Sequence, residues 1–415
     1  MRHIFNTDNF LITALVFVLI GALFFIPANV DFLNPLGQAL GDFELTDLVF
    51  SQLRDENSVE ADTNIVIVNI GELDRAEIAQ QIEIINSHGP AVIGLDAFFR
   101  KEKTPELDGP LEQALLKTNN LVLASKLSKF NEGKKRFDSL ELSHPKFTQH
   151  STPGFVNVIT DDEESFRTSR EISFKENVGD SAHLSFAAQV VKSFKNDAFK
   201  KLEARKNNTE IINFRGNFRK FYALDVADVF DSTNDLSFLK GKIVLMGFLG
   251  ENFEKPSLED VFFTPLNEHY AGKSYPDMYG VVIHANVISM ALHGGYIDQM
   301  PLWLSLFAAF AICFLNVAGL SYIFKNHNRW FGGETMIFQL LETIGLLFLV
   351  VMVFSYFRYK LDLTLAMLAV VLSSTVLDIY YSLFKPRIAR LRDIDFKKIS
   401  FKKKIAEIHE PENLH

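Results

Sequence analysis

The sequence has only one cysteine, Cys313, and that residue lies inside a long apolar run. The polar part of the chain therefore has no disulfide framework, and its stability must come from a packed core. The net charge of −9 provides no general attraction for nucleic acid, so no nucleic-acid partner is expected. The sequence also lacks a phosphate-binding loop, a zinc-ligand spacing and a Ser/His/Asp arrangement. These absences predict a protein that is not an enzyme and holds no cofactor or metal ion.

Apolar residues make up 48% of the chain and are concentrated in four runs, at residues 10–26, 302–324, 336–357 and 361–384. The first run is at the short end of the lengths that span a bilayer, and the other three are long enough to span it with some tilt. A cleaved signal peptide is the alternative for the first run. Its basic flank is weak and no cleavage site of small residues follows it, so an uncleaved anchor is preferred.

The basic residues orient these runs, because Lys and Arg collect on the cytoplasmic side of membrane helices. They are dense from Lys385 to Lys404, and Lys325 and Arg329 lie between the second and third runs. The predicted organisation is a cytoplasmic segment 1–9, a membrane helix 10–30, an external domain 31–300, a membrane helix 301–324, a cytoplasmic loop 325–335, a membrane helix 336–357, an external turn 358–360, a membrane helix 361–384 and a cytoplasmic tail 385–415. The basic residues of the tail alternate with Ile and Phe, which favours contact with an anionic lipid surface.

The external domain begins with alternating strand and helix patterns. Strands are predicted over residues 65–70, 91–95, 121–124 and 241–247, and helices over 74–87, 111–117 and 281–292. This order predicts an α/β fold, an extracytoplasmic sandwich around a mainly parallel sheet with right-handed crossovers. The less regular middle segment, 126–240, is expected to add a β layer or decorate the domain. Together with the apolar runs, the predicted architecture is this domain plus four transmembrane α-helices.

Six local motifs then follow one another along the chain. They are an Ile-Val-Ile-Val strand with an acidic turn at 65–73, VIGLDAFF at 92–99, Asp108 before a helix and the strand 121–124, GKIVLMG at 241–247, Asp260 with Thr264-Pro265, and GVVIHAN at 280–286. In this order, with one membrane helix before the domain and three after it, they resemble the CHASE2 family, an extracytoplasmic sensor domain of bacterial signalling proteins. The resemblance covers about residues 45–384.

Two features depart from the family pattern. Gly71 stands where family members often have an Asp, and of the Trp-Pro-Trp-Pro-Arg segment that follows in the family only Arg75 remains. Family members commonly continue into a cyclase, diguanylate cyclase or kinase. Here about 30 residues follow the last apolar run, too few for a catalytic domain.

The resemblance therefore implies a sensor or receptor subunit of the bacterial inner membrane, with both termini cytoplasmic and the main domain periplasmic. We expect it to relay an extracytoplasmic signal to a separate membrane or cytoplasmic protein, contacted through membrane helices two to four and the basic tail. The lipid bilayer and a second copy of the chain are the other partners considered. The alternative is a structural or accessory subunit of a cell-envelope complex that uses the fold as a binding scaffold.

Polar residues follow several predicted strands, at the ends where open parallel sheets bind ligands. They are Glu72, Asp74, Arg75, Asp96 and Asp108. Their oxygens suit a cation or a polar ligand, but carboxylates at such positions also cap helices, which is the preferred interpretation. His284 is a further candidate ligand-binding or pH-sensing residue, because the pKa of histidine lies close to neutral; the commoner role is to hold neighbouring backbone.

A polar cluster is predicted inside the membrane helices. Glu342, Asn316 and Thr375, with Ser374 and Ser373 beside Thr375, lie at similar distances from the predicted cytoplasmic ends of their helices. Ionisable groups at this depth are costly and often functional, which favours a helix–helix switch or a docking site for a partner's membrane helix. Static hydrogen bonding that holds the bundle together is the equally weighted alternative.

Overall fold

The computed structural model describes residues 5–24, 44–55, 58–159, 168–267, 275–326 and 331–388. The chain divides into two compact units, one of Phe32–Asp298 and one made of Met1–Asp31 with Gln299–His415. Most of the basic tail predicted over 385–415, and the end of the membrane helix predicted over 10–30, lie outside the described residues.

The helices, in chain order, are α1 Thr7–Phe24, α2 Leu45–Leu48, α3 Arg75–Ser87, α4 Pro105–Lys117, α5 Pro145–Thr148, α6 Phe186–Phe194, α7 Asn196–Ala204, α8 Val226–Phe230, α9 Gly280–His293, α10 Leu302–Asn326, α11 Phe331–Phe357 and α12 Thr364–Ile379. The strands are β1 Asp62–Asn69, β2 Val92–Leu95, β3 Leu121–Asn131, β4 Arg136–Glu141, β5 Ser151–Phe155, β6 Glu171–Ser173, β7 Lys175–Val178, β8 Ser181–Leu184, β9 Thr209–Ile211, β10 Phe221–Leu224, β11 Ile243–Gly247, β12 Val261–Phe262, β13 Met278–Tyr279, β14 Asp298–Gln299 and β15 Tyr359–Lys360. Short 3-10 turns occur at Phe218–Lys220 and Ser237–Leu239, and π-helical turns at Val49–Leu53 and Tyr380–Phe384.

A nine-stranded sheet forms the centre of the unit Phe32–Asp298. Its strand order is β10-β1-β11-β2-β3-β4-β7-β8, and β5 also pairs with β3. The strands β10, β1, β11, β2, β3 and β5 run parallel, whereas the β3–β4 and β7–β8 pairs are antiparallel. The predicted α/β class and mainly parallel sheet are therefore confirmed.

Helices pack on both faces of the parallel strands. Side chains alternate between the two faces of a strand, and Ile93 and Leu95 of β2 pack into one core with α3 and α4. Gly94, which points to the opposite face, lies so close to α6 that a Cβ there would be 2.8 Å from Phe186 Cζ. Burial on both faces explains why residues 65–68 of β1 are all apolar and all fully buried.

Helix α4 begins earlier than the sequence predicts. A helix was expected over 111–117, but the structure starts it at Pro105, so Asp108 lies within the helix and not before it. Pro110 lies inside this helix, although a proline usually ends or kinks a helix.

The second unit is a bundle of α1, α10, α11 and α12. Three helices in the described part of the chain are long and apolar enough to cross a membrane, Leu302–Asn326, Gly332–Phe357 and Thr364–Ile388. They match the membrane helices predicted over 301–324, 336–357 and 361–384. The apolar helix over Thr7–Leu23 is shorter, and its Ile12, Val16 and Ile20 pack into one core with α10 and α12.

Polar contacts fix the direction of α1 in this bundle. Ser321, near the end of α10, donates a hydrogen bond to Asn9 Oδ1 at 2.9 Å. Tyr380 and Lys385, after the end of α12, donate to the carboxylate of Asp8 at 2.8 and 2.6 Å. The start of α1 therefore lies beside the ends of α10 and α12, and α1 runs antiparallel to both.

Candidate functional site

A cavity of about 300 Å³ lies beyond the carboxyl ends of β1, β2 and β5. The residues that line it are Ile70, Asp96, Ala97, Phe98, Val156, Val158, Asp260, Phe262, Gly280 and His284. This is the edge of a parallel sheet at which ligands bind in open α/β folds. Two of the predicted site residues, Asp96 and His284, meet here, and Asp260 joins them.

The two carboxyl groups of the cavity influence each other's ionisation. Asp96 follows β2 directly, and its backbone amide donates to the Met246 carbonyl at 2.8 Å. Burial, and then the negative charge of Asp260, raises the pKa of Asp96 to about 8. Desolvation of its carboxylate also raises the pKa of Asp260 to about 6, although the residue as a whole is exposed and a hydrogen bond from the Gly280 backbone opposes this rise. Near neutral pH, Asp96 is mainly protonated and Asp260 mainly ionised.

Asp260 lies where helix α9 begins. A Cβ on Gly280 would be 2.8 Å from Asp260 Oδ2, so a larger residue would displace the carboxylate. The Gly280 amide also donates to the Asp260 carbonyl at 3.0 Å. The first glycine of the GVVIHAN motif thus allows a carboxylate to approach the positive end of a 14-residue helix, where negative charge is stabilised.

The His284 ring is buried, and one of its two nitrogens has no hydrogen-bond partner in the described part of the chain. The residue is 1% exposed, and its ring centroid lies 5.2 Å from that of Phe186. Burial lowers the pKa of His284 to about 4 despite a hydrogen bond to the Val156 backbone, so the imidazole is neutral at neutral pH. Its Nδ1 has no hydrogen-bond partner in the described part of the chain. With the other nitrogen donating to Val156, Nδ1 is a hydrogen-bond acceptor without a partner on a residue that lines the cavity.

The cavity therefore offers hydrogen-bond acceptors and negative charge in an otherwise apolar lining. Its described lining residues include no Lys or Arg. Within the described ranges, no group of three or more His, Cys, Asp or Glu side chains is placed to hold a metal ion.

The other predicted ligand residues do not line the cavity. Asp74 caps α3: its carboxylate accepts from the Ala76 and Glu77 amides at 2.9 Å, while Glu77 accepts from the Asp74 amide at 2.8 Å. This is a complete capping box, the preferred interpretation of that residue. Glu72, two residues earlier, is exposed.

Arg75 and Asp108 form a buried ion pair between α3 and α4. Their side chains are 9% and 1% exposed, and Arg75 Nη1 lies 2.5 Å from Asp108 Oδ1. Arg75 Nη2 also donates to the Lys101 carbonyl at 2.8 Å, and the Lys103 amide donates to Asp108 Oδ2 at 2.7 Å. Burial alone raises the pKa of Asp108, but these hydrogen bonds and the charge of Arg75 bring it below the usual value. The pair therefore connects α3 and α4 to the loop after β2, and the first residues of that loop line the cavity.

Asn69, at the end of β1, is buried and forms hydrogen bonds with several separate segments. The sequence patterns did not predict this role. Its side-chain oxygen accepts from the Gly71 and Leu249 amides at 2.9 Å, and its nitrogen donates to Asp225 Oδ1 at 2.9 Å. Gly71 has a φ of +49°, and a Cβ there would lie 3.0 Å from the Glu251 carbonyl oxygen. The glycine that replaces the family's Asp therefore suits a left-handed turn with no room for a side chain.

The intramembrane polar cluster forms around Asn316. The Asn316 side chain donates a hydrogen bond to Glu342 of α11, and Ser373 of α12 donates to Asn316 Oδ1 at 2.5 Å. The structure places Ser373 in this position, whereas Ser374 is half-buried and Thr375 is exposed. The reason is helical geometry, because two residues along a helix turn the side chain by about 200°.

A model of the CHASE2 domain family matches residues 15–321. This match covers well over half of the chain, and it agrees with the motif order and with the parallel sheet. The chain therefore belongs to the CHASE2 domain family, whose domain is a sensor-type extracytoplasmic domain. With three helices fit to cross a membrane, it is a membrane protein. No curated protein and no solved structure matches this chain.

Proposed function

We propose that this protein is a non-enzymatic sensor subunit of the bacterial inner membrane that relays an extracytoplasmic signal to a separate protein. The observation that carries the proposal is the position of the sensor domain in the chain, between two helices of one antiparallel bundle. A change in the domain is thereby connected directly to α1 and α10. The bundle then supplies the element through which the change is passed on.

The proposed topology has four crossings and both termini in the cytoplasm. Asp8, Ser321 and Lys385 gather at one end of the bundle, and Ser305 donates to the Asp362 carbonyl at 2.8 Å at the other. The chain leaves α1 and enters α10 at the Ser305 end, so the sensor domain is assigned to that side of the membrane. The basic residues near the opposite end favour the cytoplasm there.

The contact between Asn316 and Glu342 is the proposed relay element. Asn316 lies on α10, which follows the sensor domain, and Glu342 lies on α11, whose large apolar side chains are mostly exposed. An acid at this depth needs a polar partner. A shift of α10 would change the partner of Glu342 and so the surface that α11 offers to a partner's membrane helix.

Mild-detergent purification, followed by identification of the retained proteins, tests this function. We expect a cytoplasmic kinase or cyclase to be retained by the wild-type chain and lost or strongly reduced with Glu342→Gln. Glu334→Gln, on the same helix near its start, is the matched control and should retain the enzyme.

Two results would argue against the relay. A stoichiometric set of envelope proteins without a signalling enzyme would favour the alternative, an accessory subunit that serves as a scaffold. An unchanged partner and output with Glu342→Gln would make the intramembrane cluster a static part of the bundle.

A further inference from the structure

The cavity of Asp96, Asp260 and His284 carries hydrogen-bond acceptors, and one of them has no partner in the described part of the chain. His284 Nδ1 is buried and unpartnered within the described chain. Neither carboxyl group forms an ion pair with a Lys or Arg of that part of the chain, and burial together with the nearby charge of Asp260 disfavours ionisation of Asp96. A buried acceptor without a donor costs free energy, and two neighbouring carboxyl groups repel each other when both ionise. A ligand with donors and a positive charge removes both costs.

The rest of the lining is apolar. It consists of Ile70, Ala97, Phe98, Val156, Val158 and Phe262, with the backbone of Gly280. These walls suit a short hydrocarbon or aromatic group, and aromatic rings also attract a cation. A volume of about 300 Å³ is at the lower end for small-molecule sites. A bare metal ion would leave these apolar walls without contacts.

We infer that this cavity binds a small organic ammonium, with the charged nitrogen beside Asp96 and Asp260, a hydrogen bond to His284 Nδ1, and the hydrocarbon part against the apolar walls. The inference deepens the proposed function, on which it rests for its biological meaning, because it names the chemistry of the signal. The binding itself is a property of the cavity and is tested separately.

Binding of an ammonium has a consequence for protons. Asp96 is mainly protonated near neutral pH, and a positive charge beside it favours the ionised form, so its proton passes to solvent as the ligand binds. The other titratable lining groups are Asp260 and His284. Asp260 is already mainly ionised and His284 is neutral, and a nearby cation makes both harder to protonate, so neither takes up this proton.

Isothermal titration calorimetry of the full chain in detergent, near pH 7 and in two buffers of different ionisation enthalpy, tests the inference. The probes are phenethylammonium and its neutral counterpart 2-phenylethanol, with n-butylammonium as a smaller cation. We expect phenethylammonium to bind at least about tenfold more tightly than the alcohol and to release close to one proton. Asp96→Asn should weaken binding at least about tenfold and abolish the release, whereas Asp138→Asn, exposed on β4, should change neither.

His284→Gln is the second variant, since glutamine keeps a donor near the position of Nε2 and removes the Nδ1 acceptor. It should weaken phenethylammonium binding and leave the proton release in place. The inference is overturned if the alcohol binds as tightly as the ammonium, if Asp96→Asn leaves affinity and proton release unchanged, if neither ammonium binds, or if Mg²⁺ or Ca²⁺ binds in their place. Ammonium binding without any effect on the retained partner would contradict the relay and support the cavity assignment.

Discussion

At the scale of single residues, two acids that look alike in the sequence have opposite environments. Asp96 and Asp108 were both predicted ligand residues near the ends of predicted strands. Burial raises the pKa of both, but the hydrogen bonds and charge of Arg75 bring that of Asp108 below its usual value, whereas the charge of Asp260 raises that of Asp96 further. The difference depends on which charge the fold brings close, and neither partner is a sequence neighbour. Asp108 is therefore assigned to stability and Asp96 to binding.

Asp108→Asn should destabilise the sensor domain by about 3 kcal/mol or more, because it leaves the buried Arg75 without a counter-charge. Chemical unfolding of the full chain, followed by a signal from the sensor domain, measures the change. Asp180→Asn is the control, since Asp180 pairs with Arg136 while 99% exposed, and its loss should leave stability unchanged within error. Equal effects of the two variants would refute the structural role of the buried pair.

The effect of Asp108→Asn should also depend on pH. The pKa of Asp108 is lower in the folded state than its usual value of 3.8, so its contribution to stability is fully present above about pH 4 and is lost as the pH falls through the folded value. The stability difference between wild type and Asp108→Asn should therefore be constant from about pH 5 to 7 and shrink below about pH 4. A difference that grows on acidification would contradict the low pKa.

At the scale of helices and strands, local sequence patterns predicted single elements well. They did not predict which strands pair over long distances along the chain. The continuous apolar run at residues 65–70 and the helical spacing of apolar residues in 74–87 predicted β1 and α3 correctly, because β1 is buried on both faces and α3 buries one face. Nothing local shows that β11, far along the chain, inserts between β1 and β2. Asp260 lies in a family motif but was not predicted as a site residue. It belongs to an irregular loop, and only the fold brings that loop close to Asp96.

The start of α4 shows how a local rule is overridden. A helix rarely continues through a pair such as Gly109-Pro110, since the residue before proline is usually pushed out of the helical region by a clash with its Cβ. Gly109 has no Cβ and can stay helical, so the helix continues across Pro110 back to Pro105. The buried contacts of Asp108 and Leu111 then stabilise the early turns.

The close contact of β5 with α6 depends on Gly154, which has no side chain. A Cβ on Gly154 would lie 2.6 Å from Phe186 Cα and 2.9 Å from Phe186 N, and backbone atoms cannot move aside independently. Gly154→Ala should therefore destabilise the domain by roughly 1–3 kcal/mol in the same unfolding measurement. Gly133→Ala in the β3–β4 turn, where the nearest atom is 3.6 Å away, should have little effect. Similar stabilities for the two variants would contradict this close packing.

At the scale of the whole molecule, the four-helix topology predicts which residues are accessible from each side of the membrane. Single cysteines introduced into a Cys313→Ser background report this, with a membrane-impermeant maleimide applied to spheroplasts. Asp138→Cys, in the sensor domain, should be labelled from outside. Lys385→Cys, at the end of the bundle, should be labelled only after the membrane is permeabilised. Labelling of Lys385→Cys in intact spheroplasts would contradict the proposed orientation.

The central claim is that ligand binding in the sensor domain changes the membrane bundle. Cys313, the one cysteine of the chain, is fully buried on α10, three residues before Asn316, and is therefore a native reporter of that change. The most direct measurement is the rate at which N-ethylmaleimide labels Cys313 in membranes, with and without saturating phenethylammonium. The account predicts a change in rate of at least about twofold in the wild type and none in Asp96→Asn, since binding shifts a two-state equilibrium only through differential affinity. An identical rate with the ligand bound to the wild-type chain would contradict it.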